Sequence, residues 1–459
     1  MDISPLSFEK VEGEATGFMS RWLNGLAEAL CGSVVGVIVM ARRIAMEDPR
    51  RVIHAFKVAL AISIVSLFYY IHPLYHGLGV STMWAVLTVV VVFEFSVGAT
   101  LGKGVNRMIA TLLAGFLGAS AHQIADSSGK IGEPILLGVF VFLIATIVTF
   151  MRFFPRLKAR YDYGLMVFIL TFSLVSVSSY RVDEILKVAE QRLSTIIVGS
   201  CIAMLECICL CPVWMGTELH NLIANNIEKL GCFLEGFGGE YFDVSGDGKA
   251  KDNKSFLHMY KSVLASKGQE ENMANLARWE PGHGKFRFNH PWKQYLKVGT
   301  LARQCAYKID TLSNYLNSDV QASPETKQSI QDACIKLSSE TGKALKELSL
   351  AMKKMRRSYH ATAHISRSKA AAEELKSLLK ASAWEEFNLI DVLPAATVAS
   401  LLIDIVACTE NIAESVHELA SLAKFKSNDK LVVPDQPDLE DPGNECQPST
   451  LQDLIAMSR

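Results

Sequence analysis

Six apolar stretches, at residues 52–71, 80–97, 107–124, 134–151, 162–180 and 193–214, crowd into the first half of the chain. Each is close to the roughly 20 residues that a helix needs to cross about 30 Å of hydrocarbon. Six such runs packed into one soluble domain would leave no polar surface to cover it. The pattern therefore predicts a six-helix transmembrane bundle. Ahead of it, Ala29 to Met40 is apolar over only twelve residues, a length that suits a helix lying at the interface. Past Trp214 the pattern changes. Tyr295, Val298, Ala302, Cys305, Ile309, Leu312 and Leu316 recur at alternating intervals of three and four, a narrow seam for helix-on-helix packing. Further helices are predicted near 325–353, 368–381 and 396–424. The expected fold is all-α, a membrane bundle followed by a cytosolic helical bundle. Its divisions are an N-terminal segment 1–46, a six-span domain 47–214, a helical domain 215–425, and an acidic tail 426–459 expected to be disordered.

Charge supplies a direction. Lys and Arg are retained on the cytosolic side of a membrane. Ten of them (Arg42, Arg43, Arg50, Arg51, Lys103, Arg107, Arg152, Arg156, Lys158, Arg160) lie on one set of connections, against four (Lys130, Arg181, Lys187, Arg192) on the other. Both termini are thus expected in the cytosol. Half of the 459 residues are hydrophobic and the net charge is −1, which conceals this asymmetry. The ten cysteines are scattered, and Cys207, Cys209 and Cys211, two apart within an apolar run, do not converge as metal ligands. Cys209 and Cys211 at a membrane edge read as apolar packing, with acylation the alternative.

The chemistry centres on VVVVFEFSVGATLGKGVNR, Val89 to Arg107. Gly98 to Gly104 imitates a phosphate-binding loop but has three spacers where four are needed, and Gly104 stands where a Ser or Thr should follow Lys103. Lys103 and Arg107, four apart, share a helix face, and Gly98, Gly102 and Gly104 are expected to loosen the backbone there. Such cations either snorkel to headgroups or line a wet gap that attracts anions. A unit anion about 5 Å from a unit cation gains roughly 3 kcal/mol at an effective dielectric of 20. Lys103, Arg107, Arg152, Arg181 and Arg192 are the candidates for such an anion pathway. Glu94 is expected to pair with a nearby cation, because an unpaired carboxylate at that depth is costly. Glu206 has no evident partner, and either marks proton coupling or is a structural acid. His54, His72, His76 and His122 sit at span ends as interfacial groups. Ala110, Ala114 and Gly118 make a small-residue surface for close helix approach. The catalytic patterns sought, G-x-S-x-G, H-E-x-x-H and a glycine-rich fingerprint after a strand, do not occur, so the chain reads as a non-enzyme without a cofactor.

Several stretches together resemble the plant aluminium-activated malate transporters: Glu47-Asp-Pro-Arg-Arg51, Trp84-Ala-Val86 with Phe93 to Arg107, Tyr161-Asp-Tyr-Gly164, Ser178-Ser-Tyr-Arg181, Cys211-Pro-Val-Trp214, and Trp279-Glu-Pro281 with His283-Gly284. The resemblance spans residues 47 to 425. It implies a homodimeric anion channel in a lipid bilayer, passing malate and other small anions and not acting on nucleic acid. The plasma membrane is favoured, the vacuolar membrane being the alternative. It also implies a gating role for Glu280 within Trp279-Glu280-Pro281. Activation by external aluminium would need acids on the outer face, and Asp183 and Glu184 in the last outer connection are the expected contacts. The first outer connection, His72 to Gly79, has no acid, and Cys209 and Cys211 replace the aromatic residues of members thought to respond to 4-aminobutyrate. The rival reading is a proton-coupled carrier using Glu94 or Glu206.

Overall fold

A computed structural model describes residues 32–70, 82–178, 185–242, 256–316, 324–380 and 389–426. Among these the chain is all helical apart from two isolated bridges. A leading helix over 32–47 stands largely unpacked, with Val34 to Met40 exposed. The next six helices are α1 (Pro49–Tyr70), α2 (Thr82–Val92), α3 (Val97–Asp126), α4 (Gly129–Met151), α5 (Pro155–Ser178) and α6 (Ile185–Cys209). They correspond in order to the six predicted apolar runs. Two start on prolines, Pro49 and Pro155, whose fixed φ and missing N–H suit a first helical position. Asp48 caps the first of these, accepting the Arg50 N–H at 3.1 Å.

One boundary differs sharply from expectation. α3 begins at Val97, ten residues before the predicted apolar run, because Ser96 caps it by accepting the Ala99 N–H at 3.3 Å. Thr100 then ties back to the backbone N–H and C=O of Glu94 at 3.0 and 3.2 Å, closing the break after α2. Gly98, Gly102 and Gly104 are therefore inside a 30-residue helix. They do not loosen it; they let neighbours approach.

The bundle packs through small residues. Ala110, Ala114 and Gly118 are buried, and a Cβ on Gly118 would lie 2.9 Å from Val175 of α5. A Cβ on Gly104 would lie 2.2 Å from Met204 of α6, and one on Gly199 2.7 Å from the Ala85 carbonyl of α2. The opposite faces stay apolar and uncovered: Phe116, Phe142 and Leu170 are all more than 60% exposed. Within a single chain such a belt fits hydrocarbon rather than water.

The second half is built on α7 (Met215–Phe242), the short α8 (Phe256–Met259) and α9 (Lys261–Leu264), α10 (Lys267–Ala277), α11 (Trp292–Leu316), α12 (Pro324–Lys354), α13 (Tyr359–Lys380) and α14 (Leu389–Leu422). The predicted seam of α11 is fully buried from Tyr295 to Leu312, in one core that runs from Leu219 to Phe425. α13 starts nine residues earlier than expected, with Ser358 capping its first turn. α7 and α12 run antiparallel: Ser349 bonds to the Ala224 carbonyl, Lys353 pairs with Glu228, and Lys346 pairs with Glu235 further along. α14 is apolar and long enough to cross a membrane, yet Val398, Leu402, Ile405, Ile412 and Leu419 are buried in this core. Its polar face carries ion pairs, from Asp404 to Lys308 and from Glu418 to Lys297. A buried Arg303–Glu270 pair, supported by Ser266, joins α10 to α11.

Candidate functional site

α3 and α5 place the charged residues of the bundle. The Lys103 ammonium pairs with the Glu94 carboxylate, as expected for that acid, and lies 5.5 Å from the Tyr163 ring centre. One turn on, the Arg107 guanidinium donates to the Tyr163 hydroxyl at 3.0 Å, while its Nε is buried without a partner. Tyr163 thus gathers Lys103 and Arg107 into one cluster in which only the first has a carboxylate counter-charge. Gly164, next to Tyr163, lets α5 close on Asn106, whose amide donates to the Arg160 carbonyl at 3.0 Å. Arg152 is held elsewhere: it forms a two-pronged pair with Asp162 at 2.7 and 3.2 Å. Its charge is met within the chain. Arg192 lies on α6, and its side chain falls outside the described residues, as do Arg181, Asp183 and Glu184 altogether.

A buried centre lies on α1. Lys57, only 3% exposed, donates to the Cys211 carbonyl at 2.9 Å, in the link between α6 and α7. Its charge acts on Glu206, whose two carboxylate oxygens are buried with no hydrogen-bond partner. A lone lysine inside an apolar run is a signal for function in its own right. Tallies confined to the flanks of the spans pass over it.

The Trp279-Glu280-Pro281 stretch closes the junction between the two halves. α10 ends at Ala277, and the turn that follows aims Trp279 and Glu280 in different directions. Trp279 lies on Gly102, where a Cβ would stand 3.1 Å from its ring, and Arg160 stacks on the indole at 5.0 Å. Glu280 turns to the start of α7, accepting the N–H of Met215 at 2.6 Å and of Gly216 at 3.0 Å. The backbone N–H of Gly98, in the first turn of α3, stands close enough to add its pull on the carboxylate. A single carboxylate therefore serves the positive ends of two helices, one from each half. Burial pushes its carboxyl above the usual range, and the three backbone donors pull against that. Gly98 and Gly216 have no room for a side chain: a Cβ would lie 2.3 Å from the Leu276 carbonyl and 2.4 Å from Trp292. Trp214, just before α7, stacks on His283 at 3.9 Å.

A guanidinium without a carboxylate partner can attract an anion. Among the described residues there is no cluster of His, Cys, Asp or Glu fit for a metal.

The family model described as "Aluminium activated malate transporter" matches residues 42–385 and 380–420. The chain is 53% identical over 397 residues to aluminum-activated malate transporter 2 of Arabidopsis thaliana, covering 86% of this chain and 79% of that one. It is 50% identical over 420 residues to aluminum-activated malate transporter 7 of Arabidopsis thaliana, covering 85% and 83%. With aluminum-activated malate transporter 1 of Triticum aestivum it shares 43% over 431 residues, 91% of this chain and 92% of the other.

Proposed function

The chain belongs to the aluminium-activated malate transporter family, a family of membrane transporters, and from that premise we propose that it is an anion channel passing malate and small inorganic anions down their electrochemical gradient. The observation that carries the reading is Arg107. Its charge is opposed by a neutral hydroxyl and not by a carboxylate, and one of its donors is buried and unused. A passing carboxylate completes that shell, and a single open guanidinium at this position does not hold the anion so tightly that it cannot leave. Lys103 stands one turn away as a cation that can exchange Glu94 for a permeating anion, and Lys57 adds buried positive charge on α1. Arg181 and Arg192 continue the proposed path, and Arg152 joins it, as Lys103 does, only by exchanging its carboxylate partner, Asp162.

In this reading the channel is a homodimer in the plasma membrane with both termini in the cytosol. Glu280 couples the C-terminal domain to α3, and hence to Lys103 and Arg107 on the same helix. External aluminium acts, where it acts, through Asp183 and Glu184. Whole-cell current with malate on one side tests the reading: Arg107→Gln is expected to cut malate current severalfold at unchanged surface abundance. Unchanged current would remove Arg107, and with it the support the geometry lends to a channel.

Glu206 favours a second reading, a proton-coupled carrier, since its buried and unpartnered oxygens suit a group that binds and releases a proton. Reversal potential separates the two. A channel follows the anion gradient alone, whereas a coupled carrier shifts with pH at fixed anion.

A further inference from the structure

The C-terminal domain ties its helices together with ion pairs. Lys297, Lys308, Lys336, Lys346, Lys353 and Lys369 each reach a carboxylate on another helix. The turn between α12 and α13 carries arginines that do not. Among the described residues neither Arg356 nor Arg357 has an ion-pair partner, and both are exposed. The chain's last described residues come back to the same turn: Lys426 donates its backbone N–H to the Met355 carbonyl at 3.1 Å and accepts the Arg357 N–H at 3.2 Å. That brings Lys424 and Lys426 beside the two arginines.

Under this cationic turn is an open cavity of about 430 Å³, lined by Arg357, Ser358, Tyr359, Thr362, Ser366 and His417. Arg356 lines the narrow pocket that shares Arg357, Ser358 and His417 with it. The Arg357 guanidinium and the Ser358, Tyr359 and Thr362 hydroxyls surround the start of a 22-residue helix whose positive end opens there, while Ser366 bonds back to the Thr362 carbonyl and His417 Nδ1 to the Ala413 carbonyl. This donor-rich set fits a phosphate monoester, with three acceptor oxygens and about two negative charges.

The cavity's place in the fold suggests the source of that phosphate. His220, in the second turn of α7, stands against the backbone of Met352 and Lys353 at the end of α12. Gln294 at the start of α11 bonds to Ser415 on α14, and Trp292 packs on Gly216. The ends of α12 and α14 that build the cavity therefore lie level with the first turns of α7, next to the apolar bundle. On this end large side chains stand out among the cations: Phe288, between Arg287 and the next loop residues, is 72% exposed, Tyr359 65% and Leu422 57%. Basic groups interleaved with exposed aromatic and aliphatic ones suit the surface of an anionic leaflet.

We propose that the bundle-facing end of the C-terminal domain binds the phosphorylated headgroup of an anionic lipid, its phosphate monoester entering the cavity beneath Arg356 and Arg357. The site goes beyond anion conduction and stands whether or not Arg107 lines the path. The test uses the full chain in detergent, titrated with dioctanoyl phosphatidylinositol 4-phosphate, dioctanoyl phosphatidylcholine, inositol monophosphate and inorganic phosphate. The phosphorylated lipid is expected to bind, and phosphatidylcholine not to compete. Replacing Arg356 and Arg357 together by Gln should weaken binding by about tenfold or more, as loss of two charge-assisted donors requires. Lys336→Gln with Lys369→Gln, cations paired elsewhere, should leave it unchanged. If the arginine variant melts early, Thr362→Val with Ser366→Ala serves instead, with a severalfold loss expected. Equal binding by wild type and the cavity variants, or no preference over phosphatidylcholine, overturns the site. Inorganic phosphate or inositol monophosphate binding as tightly as the lipid overturns the lipid as its source.

Discussion

The Glu280 carboxylate accepts the backbone N–H of Gly216 at 3.0 Å and so ties the turn after α10 to the first residues of α7. Its other oxygen takes the Met215 N–H, and Gly98 of α3 packs against the same side chain. Glu280→Ala leaves these buried donors without an acceptor, at a cost of about 1–3 kcal/mol for each one that water does not reach. Glu280→Gln keeps one good acceptor and should cost less. Melting of the purified full chain is expected to rank wild type above Gln and Gln above Ala. Equal melting of all three would mean that the carboxylate does not hold the two helix ends.

Gly98 and Gly102 offer a steric test of the same junction. A methyl group on Gly98 would overlap the Leu276 carbonyl, and one on Gly102 would press on Trp279. Gly98→Ala should therefore destabilise by about 1–3 kcal/mol, the usual cost of overpacking. Gly115, on the same helix, has nothing within 4 Å of its Cβ position. Gly115→Ala should be neutral or gain up to about 1 kcal/mol from helix propensity. Limited proteolysis between the two halves, at 210–214, is expected to quicken in the first variant only.

Much of this was legible in the sequence, and what was missed has physical causes. Apolar runs and the α11 seam are local patterns, so their helices were predictable, and Glu94 had to find a cation. The start of α3 was hidden because Lys103, Asn106 and Arg107 depress the average hydropathy of its first turns, although Ser96 carries the capping signal. Lys57 was hidden for the opposite reason, one charge averaged away among apolar neighbours. The glycine spacing was visible, but not what faces it: Trp279 and Gly102 are far apart in the chain and meet only when the two halves have folded together. Nor does any spacing rule bring Tyr163 to Arg107, or Asp162 to Arg152.

Acid should loosen the C-terminal domain. His220 and His290 both bond to the Tyr295 hydroxyl, at 2.9 and 3.2 Å, and burial lowers each imidazole from 6.5 to about 4. Their neutral forms are the folded ones, so the stability they contribute is complete above pH 6.5 and is lost as pH falls toward 4. Linkage gives a loss of roughly 1–2 kcal/mol per histidine at pH 5.5, growing as pH approaches 4. His290→Gln should flatten the melting temperature against pH between 7 and 5; an unchanged slope would assign the acid sensitivity to other groups.

Lys57 and Glu206 should be energetically coupled. Lys57 reaches the Cys211 carbonyl, and its ammonium is the cation that acts on the buried Glu206 carboxylate. Lys57→Met removes that charge and leaves both the carbonyl and the carboxylate uncompensated, so it should cost more than Glu206→Gln alone. In the double variant the carboxylate is gone, and part of the penalty of Lys57→Met should vanish with it. A coupling of about 1–3 kcal/mol is expected for groups that share one environment. Additive losses in a double-mutant cycle, read from melting of the full chain, would mean that the two charges do not sense each other. Conductance then distinguishes their uses: if Lys57 serves the anion path, the double variant recovers stability without recovering malate current.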